Sequence, residues 1–124
     1  MSQMLLIDAA NVVGSRPTGW WRDRAGAART FVQRVRDATA AGRLSEPVVI
    51  VLEGEAREGA TAGVSGGVEV VHAAGEGDDA LAALAGSSPR PVTLVTADRG
   101  LTERVHRVGA EVVGPRWLLD RLGH

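Results

Sequence analysis

Three apolar runs, each closed by an acidic residue, constrain the fold of this chain more than any other feature. The runs are "MLLID", "PVVIVLE" and "PVTLVTAD", and they end at Asp8, Glu53 and Asp98. Apolar residues without alternation over the length of a strand are typical of strands buried on both faces of a parallel sheet. A shorter run, Val68–Ala73, alternates in part and predicts a fourth strand.

Segments with a helical period separate these strands. The stretch from Arg22 to Ala41 places apolar residues on one face and arginines on the other, which predicts the crossover helix of a β-α-β unit. Further helices are predicted in "DDALAALA", "LTERVHRVGA" and "PRWLLDRL", with a short strand "EVV" between the last two. Strands that alternate with helices predict an α/β fold, a three-layer Rossmann-like parallel sheet flanked by helices. The 124 residues predict a single domain spanning 1–124, in which the glycine-rich segment Gly54–Gly67 is a surface loop.

Composition removes several classes of function. The chain has no cysteine, which excludes disulfides, thiol nucleophiles and cysteine-ligated metals. All 14 basic residues are arginine, which excludes a P-loop lysine, a Schiff base and the lysine of a phospho-receiver domain. The formal net charge of -1 argues against nucleic-acid binding by bulk electrostatics, so contact with RNA would need a local arginine patch. No signal peptide or membrane span is visible in the sequence, and we expect a cytoplasmic protein without membrane contact.

The acidic residues are predicted to converge at one edge of the sheet. Ligand sites of open parallel sheets lie beyond the carboxyl ends of the strands, where Asp8, Glu53 and Asp98 are expected. Asp78 and Asp79 begin a helix after another strand and are expected at the same edge. Carboxylates brought together repel one another unless a cation neutralises them, and Mg²⁺ or Mn²⁺ prefers such oxygen ligands. A single acid at a strand end is more often a turn residue or a helix N-cap, and for Glu53 we keep that interpretation.

The motifs "LLIDAANVVGS", "GDDALAAL" and "VTADRGLTERVHRVGAEVV" follow one another along the chain. Together they resemble the NYN branch of the PIN-like ribonucleases, and the resemblance covers nearly the whole sequence. It implies a PIN-like sheet whose acidic pocket holds Mg²⁺ or Mn²⁺ and cuts RNA. The implied function is therefore that of a metal-dependent endoribonuclease, with RNA as its partner.

The resemblance also implies roles for individual residues. The positions that match its metal-binding acids are Asp8, Asp78 or Asp79, and Asp98. We favour Asp78 over its neighbour, because Leu81 three residues later would then face the core. Asn11 would orient a metal-bound water or the scissile phosphate. Thr96 would hydrogen-bond a water or a phosphate oxygen near Asp98.

The segment "GSRPTGWWRDR" combines arginines with two tryptophans directly after the first motif. Arg16 and Arg22, with Trp20 between them, suit the phosphates and bases of single-stranded RNA. The alternative is that the tryptophans anchor a loop on the sheet, and Trp20 and Trp21 could divide the two roles. Arg99 could contact phosphate, or it could be a solvated side chain at the start of a helix.

A non-catalytic RNA-binding or regulatory PIN-like module is the alternative function, and the retained acidic residues argue against it. A haloacid-type phosphatase would need a second aspartate where Ala10 stands. The C-terminal helix has apolar residues on more than one side and is a candidate homodimer interface. Those residues are Trp117, Leu118, Leu119 and Leu122.

Overall fold

The computed structural model describes residues 3–16 and 19–123, and within them six strands form one sheet. The strands are β1 Met4–Asp8, β2 Val48–Leu52, β3 Gly63–Ser65, β4 Val68–His72, β5 Val92–Val95 and β6 Glu111–Val113. Their order across the sheet is β3-β4-β2-β1-β5-β6. All neighbouring pairs are parallel except β3 with β4, which is antiparallel. The predicted α/β fold, a mostly parallel sheet flanked by helices, is confirmed.

Five α-helices and two 3-10 helices connect the strands in the described part of the chain. The α-helices are α1 Ala9–Gly14, α2 Arg24–Ala40, α3 Gly77–Ser87, α4 Arg99–His106 and α5 Pro115–Arg121. The 3-10 helices are Trp20–Arg22 and Gly54–Gly59. None of the described helices is long and apolar enough to cross a membrane.

The sheet is the middle of three layers, because successive side chains of its strands point to opposite faces. In β1, Leu5 and Ile7 join one hydrophobic core, and Leu6 joins the other. The first core is completed by α1, α2 and α5, which contribute buried side chains such as Phe31. The second is completed by α3 and α4, which contribute others such as Leu101. Burial on both faces explains why β1, β2 and β5 read as unbroken apolar runs.

Two local predictions are wrong. The sequence predicts no helix between the first strand and Arg22, but β1 passes directly into α1, because Asp8 caps this helix by accepting a hydrogen bond from the Asn11 backbone N–H. The segment Gly54–Gly67 is not a structureless loop, since it contains a 3-10 helix and the edge strand β3. Glycine at position 59 lets the 3-10 helix approach the backbone of α2 at Ala25, and this packing is invisible to a local pattern.

The C-terminal helix α5 packs its apolar side chains on the chain's own core. Leu118 and Leu122 are buried in the first core, and Trp117 and Leu119 are half-buried against it. Arg121 covers the ring of Trp117 at 3.8 Å from its guanidinium carbon to the ring centroid. These contacts account for the apolar character of α5 within one copy of the chain, and a homodimer through this helix stays a prediction.

Candidate active site

The sheet order reverses at β1, and this reversal positions the candidate site. After β1 the chain builds β2 and β4 on one side, and it then returns to place β5 and β6 on the other. Connections that leave a central strand in opposite directions open a crevice at the carboxyl ends of the strands. Asp8 ends β1 at this crevice, and Thr96 directly follows β5. These two residues therefore meet although they are 88 positions apart.

Asp8 is buried and held by two hydrogen bonds. Thr96 Oγ1 donates to Asp8 Oδ2 at 2.9 Å, and the Asn11 backbone N–H donates to Asp8 Oδ1 at 3.3 Å. Only 5% of the residue's surface is exposed. A carboxylate fixed at both oxygens presents one geometry to the crevice, because neither oxygen can rotate away without losing a bond.

A second set of bonds ties α1 to the segment after β5. The Ala97 N–H donates to Asn11 Oδ1 at 2.8 Å, and the Asp98 N–H donates to Thr96 Oγ1 at 3.1 Å. Asp98 also accepts from the Leu101 N–H at 2.9 Å and so caps α4. The capping interpretation of Asp98 is thus correct, and it is compatible with a second role, since the residue is half-buried beside Thr96.

The charges of four acidic residues act on one another at the crevice. Burial, together with the charges of Asp78 and Glu53, raises the pKa of Asp8 to about 6, against the lowering effect of the hydrogen bonds from Thr96 and Asn11. The pKa of Asp78 is also raised, first by burial and then by Asp98 and Glu53. We refer to Asp8, Glu53, Asp78 and Asp98 as the acidic cluster. For Asp8 and Asp78, burial and the nearby carboxylates disfavour the charged form, which is typical of a site that receives a cation or a proton.

The structure separates the two neighbouring aspartates at the start of α3. Asp78 is half-buried among the other acids, whereas Asp79 pairs with Arg104 at 3.0 Å and its side chain is 74% exposed. Leu81 is buried in the second core, as expected if Asp78 faces the crevice. Asp78 is therefore brought to the cluster, and Asp79 is not.

Glu53 also belongs to the acidic cluster, although the sequence favours a turn or capping role for it. It was interpreted as a cap, but at the N-cap position of the 3-10 helix its side chain makes no capping bond. Its Oε1 instead lies 2.6 Å from where a Cβ on Gly77 would be, so the missing side chain at the start of α3 makes room for it. The available signal was its place one residue after β2, the parallel neighbour of β1.

The donor set suits a hard divalent cation, because every side chain of the acidic cluster offers oxygen. Among residues 3–16 and 19–123, no group of three or more His, Asp or Glu side chains is placed so that it could hold a metal ion. Mg²⁺ is commonly held by only one or two carboxylates, with water completing its shell. Asp8 and Asp78, whose charges act on each other, are the two carboxylates that such a site would use.

The arginine and tryptophan residues lie on the segment that follows α1. Trp20 is half-buried, and Trp21 is 53% exposed and meets it edge-on, with ring centroids 6.4 Å apart. The guanidinium carbon of Arg22 lies 5.9 Å from the centroid of the Trp21 ring. Arg16 and Trp20 share the lining of a groove of about 560 Å³. Residues 17 and 18 of the same predicted segment lie outside the described residues.

Arg99 is exposed at the first position of α4, directly after Asp98. It therefore lies at the edge of the crevice, where the segment after β5 enters α4. Its placement leaves both of its interpretations open.

The sheet and its flanking helices define an α/β protein with a six-stranded, mostly parallel sheet, and the acids lie at its switch point. Two solved structures of Rae1 (YacP) from Bacillus subtilis are similar to this chain, one of the protein and one of a mutant, with TM-scores of 0.75 and 0.72. Both are 18% identical to it, and the matches cover 98% of this chain and 74% and 75% of those chains. No family model and no curated protein matches the sequence. At this identity the likeness shows the fold.

Proposed function

We propose that this chain is a divalent-metal-dependent endoribonuclease that hydrolyses RNA phosphodiester bonds at the acidic cluster. The observation that carries the proposal is the convergence of Asp8, Asp78 and Asp98 at the switch point. They come from three separate segments, and burial together with the charges of Asp78 and Glu53 raises the pKa of Asp8 to about 6. A fold does not need such a concentration of charge, whereas a site for a cation and a phosphate does.

Two further observations support RNA as the substrate. The three motifs resemble those of NYN ribonucleases, and the likeness to Rae1 supports a PIN-like, RNA-cleaving function. Arg16, Arg22 and Trp20 lie on the segment that follows α1, and Trp20 lines a cavity together with Glu53 of the cluster. Arginines with aromatic rings bind single-stranded nucleic acid. Arg99, at the first position of α4, is a further candidate for phosphate contact.

The residues of the cluster and their neighbours have different roles in the proposed reaction. Asp8 and Asp78 hold the cation with Asp98 beside them, and Glu53 adds negative charge. Thr96 keeps Asp8 in place through its 2.9 Å hydrogen bond, and its own position is fixed by the Asp98 N–H. Asn11 uses Oδ1 to accept from Ala97, so its amide N–H groups are the part it offers to a phosphate oxygen or water. When bound, Mg²⁺ or Mn²⁺ supplies activation of water and neutralisation of charge on the phosphate.

The first experiment is cleavage of a labelled, mixed-sequence, single-stranded RNA by purified protein with Mn²⁺ or Mg²⁺ and then with chelator. We expect metal-dependent cutting that is lost in Asp8→Asn, Asp78→Asn and Asp98→Asn. Asparagine caps a helix as well as aspartate does, so the caps of α1 and α4 survive these changes. Loss of cutting will then report on the charge and not on unfolding.

The matched control is Asp79→Asn, which alters the neighbouring, exposed aspartate and its ion pair with Arg104. It should cut RNA like the wild type, since exposed ion pairs contribute little to stability. Absence of cutting by folded wild-type protein, together with absence of heat on titration with Mn²⁺, contradicts the proposal and favours the non-catalytic RNA-binding module.

A further inference from the structure

A cavity of about 220 Å³ opens beside the acidic cluster, and the proposed reaction does not use it. It lies between the start of α1, the first turns of α2 and the end of β2, and the 3-10 helix Gly54–Gly59 closes it. Its lining includes Ala9, Ala10, Trp20, Arg24, Glu53 and Ala56. Because Ala9 follows Asp8 and Glu53 belongs to the cluster, the cavity adjoins the place where a phosphate would be cut.

The walls of this cavity suit a planar ring with a polar edge. The alanines and Leu52 make it apolar, and Trp20 adds an aromatic side chain. The Arg24 guanidinium carbon lies over the Trp20 ring, 5.1 Å from its centroid, and adds hydrogen-bond donors. Glu53 adds acceptors. A nucleobase has these features, with an apolar face for stacking and donors and acceptors along its edge.

Size and charge favour a base alone over a whole nucleotide. Pockets for drug-sized ligands occupy about 300–1,000 Å³, so a cavity of about 220 Å³ fits a smaller group. The Glu53 carboxylate, one of four acids in the cluster, would repel a phosphate that entered the cavity. A strand lying across the site would therefore leave its phosphate at the cluster and insert only the base.

We propose that this cavity binds one unpaired base of the RNA, turned out of the strand next to the bond that is cut. The inference rests on the proposed function and adds the reason for a single-stranded substrate, because a paired base would first have to leave its partner. Trp20 is then both an anchor of its own segment and a wall of the base site. This combines the two roles that the sequence left open for it.

The test compares wild-type protein on a short single-stranded RNA with the same RNA carrying one abasic ribose, scanned through positions on both sides of the cut. We expect the loss of one base, at a fixed position relative to the cut bond, to slow cutting by on the order of tenfold or more, while other positions have small effects. If abasic RNA is cut as fast as intact RNA at every position, the cavity proposal is wrong and the nuclease proposal stands.

A second experiment fills the cavity by a substitution that leaves the acidic residues unchanged. Ala56→Leu should slow cutting of intact RNA to the rate of the sensitive abasic RNA and leave that abasic RNA unaffected. Ala41→Leu, an exposed position after α2, is the matched control and should change neither rate. Equal cutting of intact RNA by folded Ala56→Leu and wild type would overturn the proposal, and the abasic comparison stands alone if this variant does not fold.

Binding separates this inference from the nuclease proposal. In a Trp21→Phe, Trp117→Phe background, Trp20 is the remaining tryptophan, and a base in the cavity should quench its fluorescence. If no RNA is cut, the whole abasic series is compared with intact RNA by quenching, and intact RNA that quenches Trp20 more than an RNA lacking one particular base supports the base site although the nuclease proposal fails. Equal quenching by intact RNA and by every abasic RNA overturns the base site.

Discussion

Asp8 is the residue at which stability and site chemistry oppose each other. Its pKa is raised from 3.8 to about 6 by burial and by the charges of Asp78 and Glu53. Between these two values the folded chain holds a proton that the unfolded chain has lost, so stability falls as pH rises through this window. The stabilisation from this bound proton is fully present below about pH 3.8 and is lost as pH rises through about 6. At neutral pH the charged carboxylate therefore makes the fold less stable.

Asp8→Asn should raise the free energy of unfolding at pH 7 by up to roughly 3 kcal/mol, the upper bound set by the pKa shift. Asparagine keeps the cap of α1 and removes the charge that burial disfavours, but its single oxygen cannot also accept the hydrogen bond from Thr96, so the gain stays below that bound. Denaturant unfolding between pH 4 and pH 7.5 will also show a flatter pH dependence for the variant. Asp120→Asn, at an exposed position of α5, should leave the curve unchanged. A variant curve parallel to that of the wild type would contradict the assigned cause.

Gly77→Ala should lower RNA cutting without lowering the stability of the fold. The added Cβ would lie 2.6 Å from Glu53 Oε1, and this flexible side chain can move away at little cost to folding. Because alanine favours a helix over glycine, we expect stability to be unchanged or to rise by at most about 1 kcal/mol. Displacement of Glu53 should lower RNA cutting by about tenfold to a hundredfold.

The control for this change is Gly75→Ala, where a Cβ meets no atom within 4 Å. It should retain both stability and RNA cutting. If Gly77→Ala cuts RNA at the wild-type rate while remaining folded, Glu53 has no part in the reaction.

At the level of elements, the sequence predicts what depends on periodicity and misses what depends on contact. The helix α2 is predictable because Phe31 and Val35 repeat at helical spacing, and its N-cap Asp23 explains why it begins at Arg24. The six residues of α1 are too few to show a period, and their apolar composition continues that of β1. The 3-10 helix and β3 lie in a glycine-rich segment whose structure comes from packing on α2 and pairing with β4.

Gly59→Ala tests that packing. A Cβ at this position would clash with the carbonyl oxygen of Ala25 and lie 2.9 Å from both Ala28 Cβ and the Arg29 nitrogen. Backbone atoms of a long helix cannot yield as a side chain can, so we expect a loss of about 1–3 kcal/mol of unfolding free energy. Thermal unfolding of Gly59→Ala, in parallel with that of Gly75→Ala, measures this loss of stability. A Gly59→Ala protein as stable as the control would show that this 3-10 helix is not closely packed on α2.

At the scale of the whole molecule, the strand order explains how far the candidate site was predictable. A parallel sheet brings the ends of its strands to one edge whatever the loops do, so the meeting of Asp8 with Thr96 and Asp98 follows from the fold class. The choice between Asp78 and Asp79 depends on how α3 is rotated on the sheet. The direction of the Glu53 side chain depends on a glycine 24 positions later. Such details are set by tertiary contacts and leave no periodic trace in the sequence.

The same arrangement predicts that a divalent cation stabilises the whole chain. An ion that binds only the folded state raises stability by RT ln(1 + [L]/Kd), about 2.7 kcal/mol at 100 times Kd. Mn²⁺ or Mg²⁺ should therefore raise the Tm of the wild type by several degrees at pH 7.5, and of Asp79→Asn by the same amount. Asp78→Asn should show a smaller shift, because it lacks one of the proposed ligands.

The metal effect should also weaken at pH 5, since protons compete for a carboxylate whose pKa is about 6. Differential scanning fluorimetry with and without chelator measures the shift at both pH values and needs no RNA. An equal rise in Tm for wild type, Asp78→Asn and Asp8→Asn would place the stabilising ion elsewhere on the surface. The acidic cluster would then have to be explained by substrate or proton binding alone.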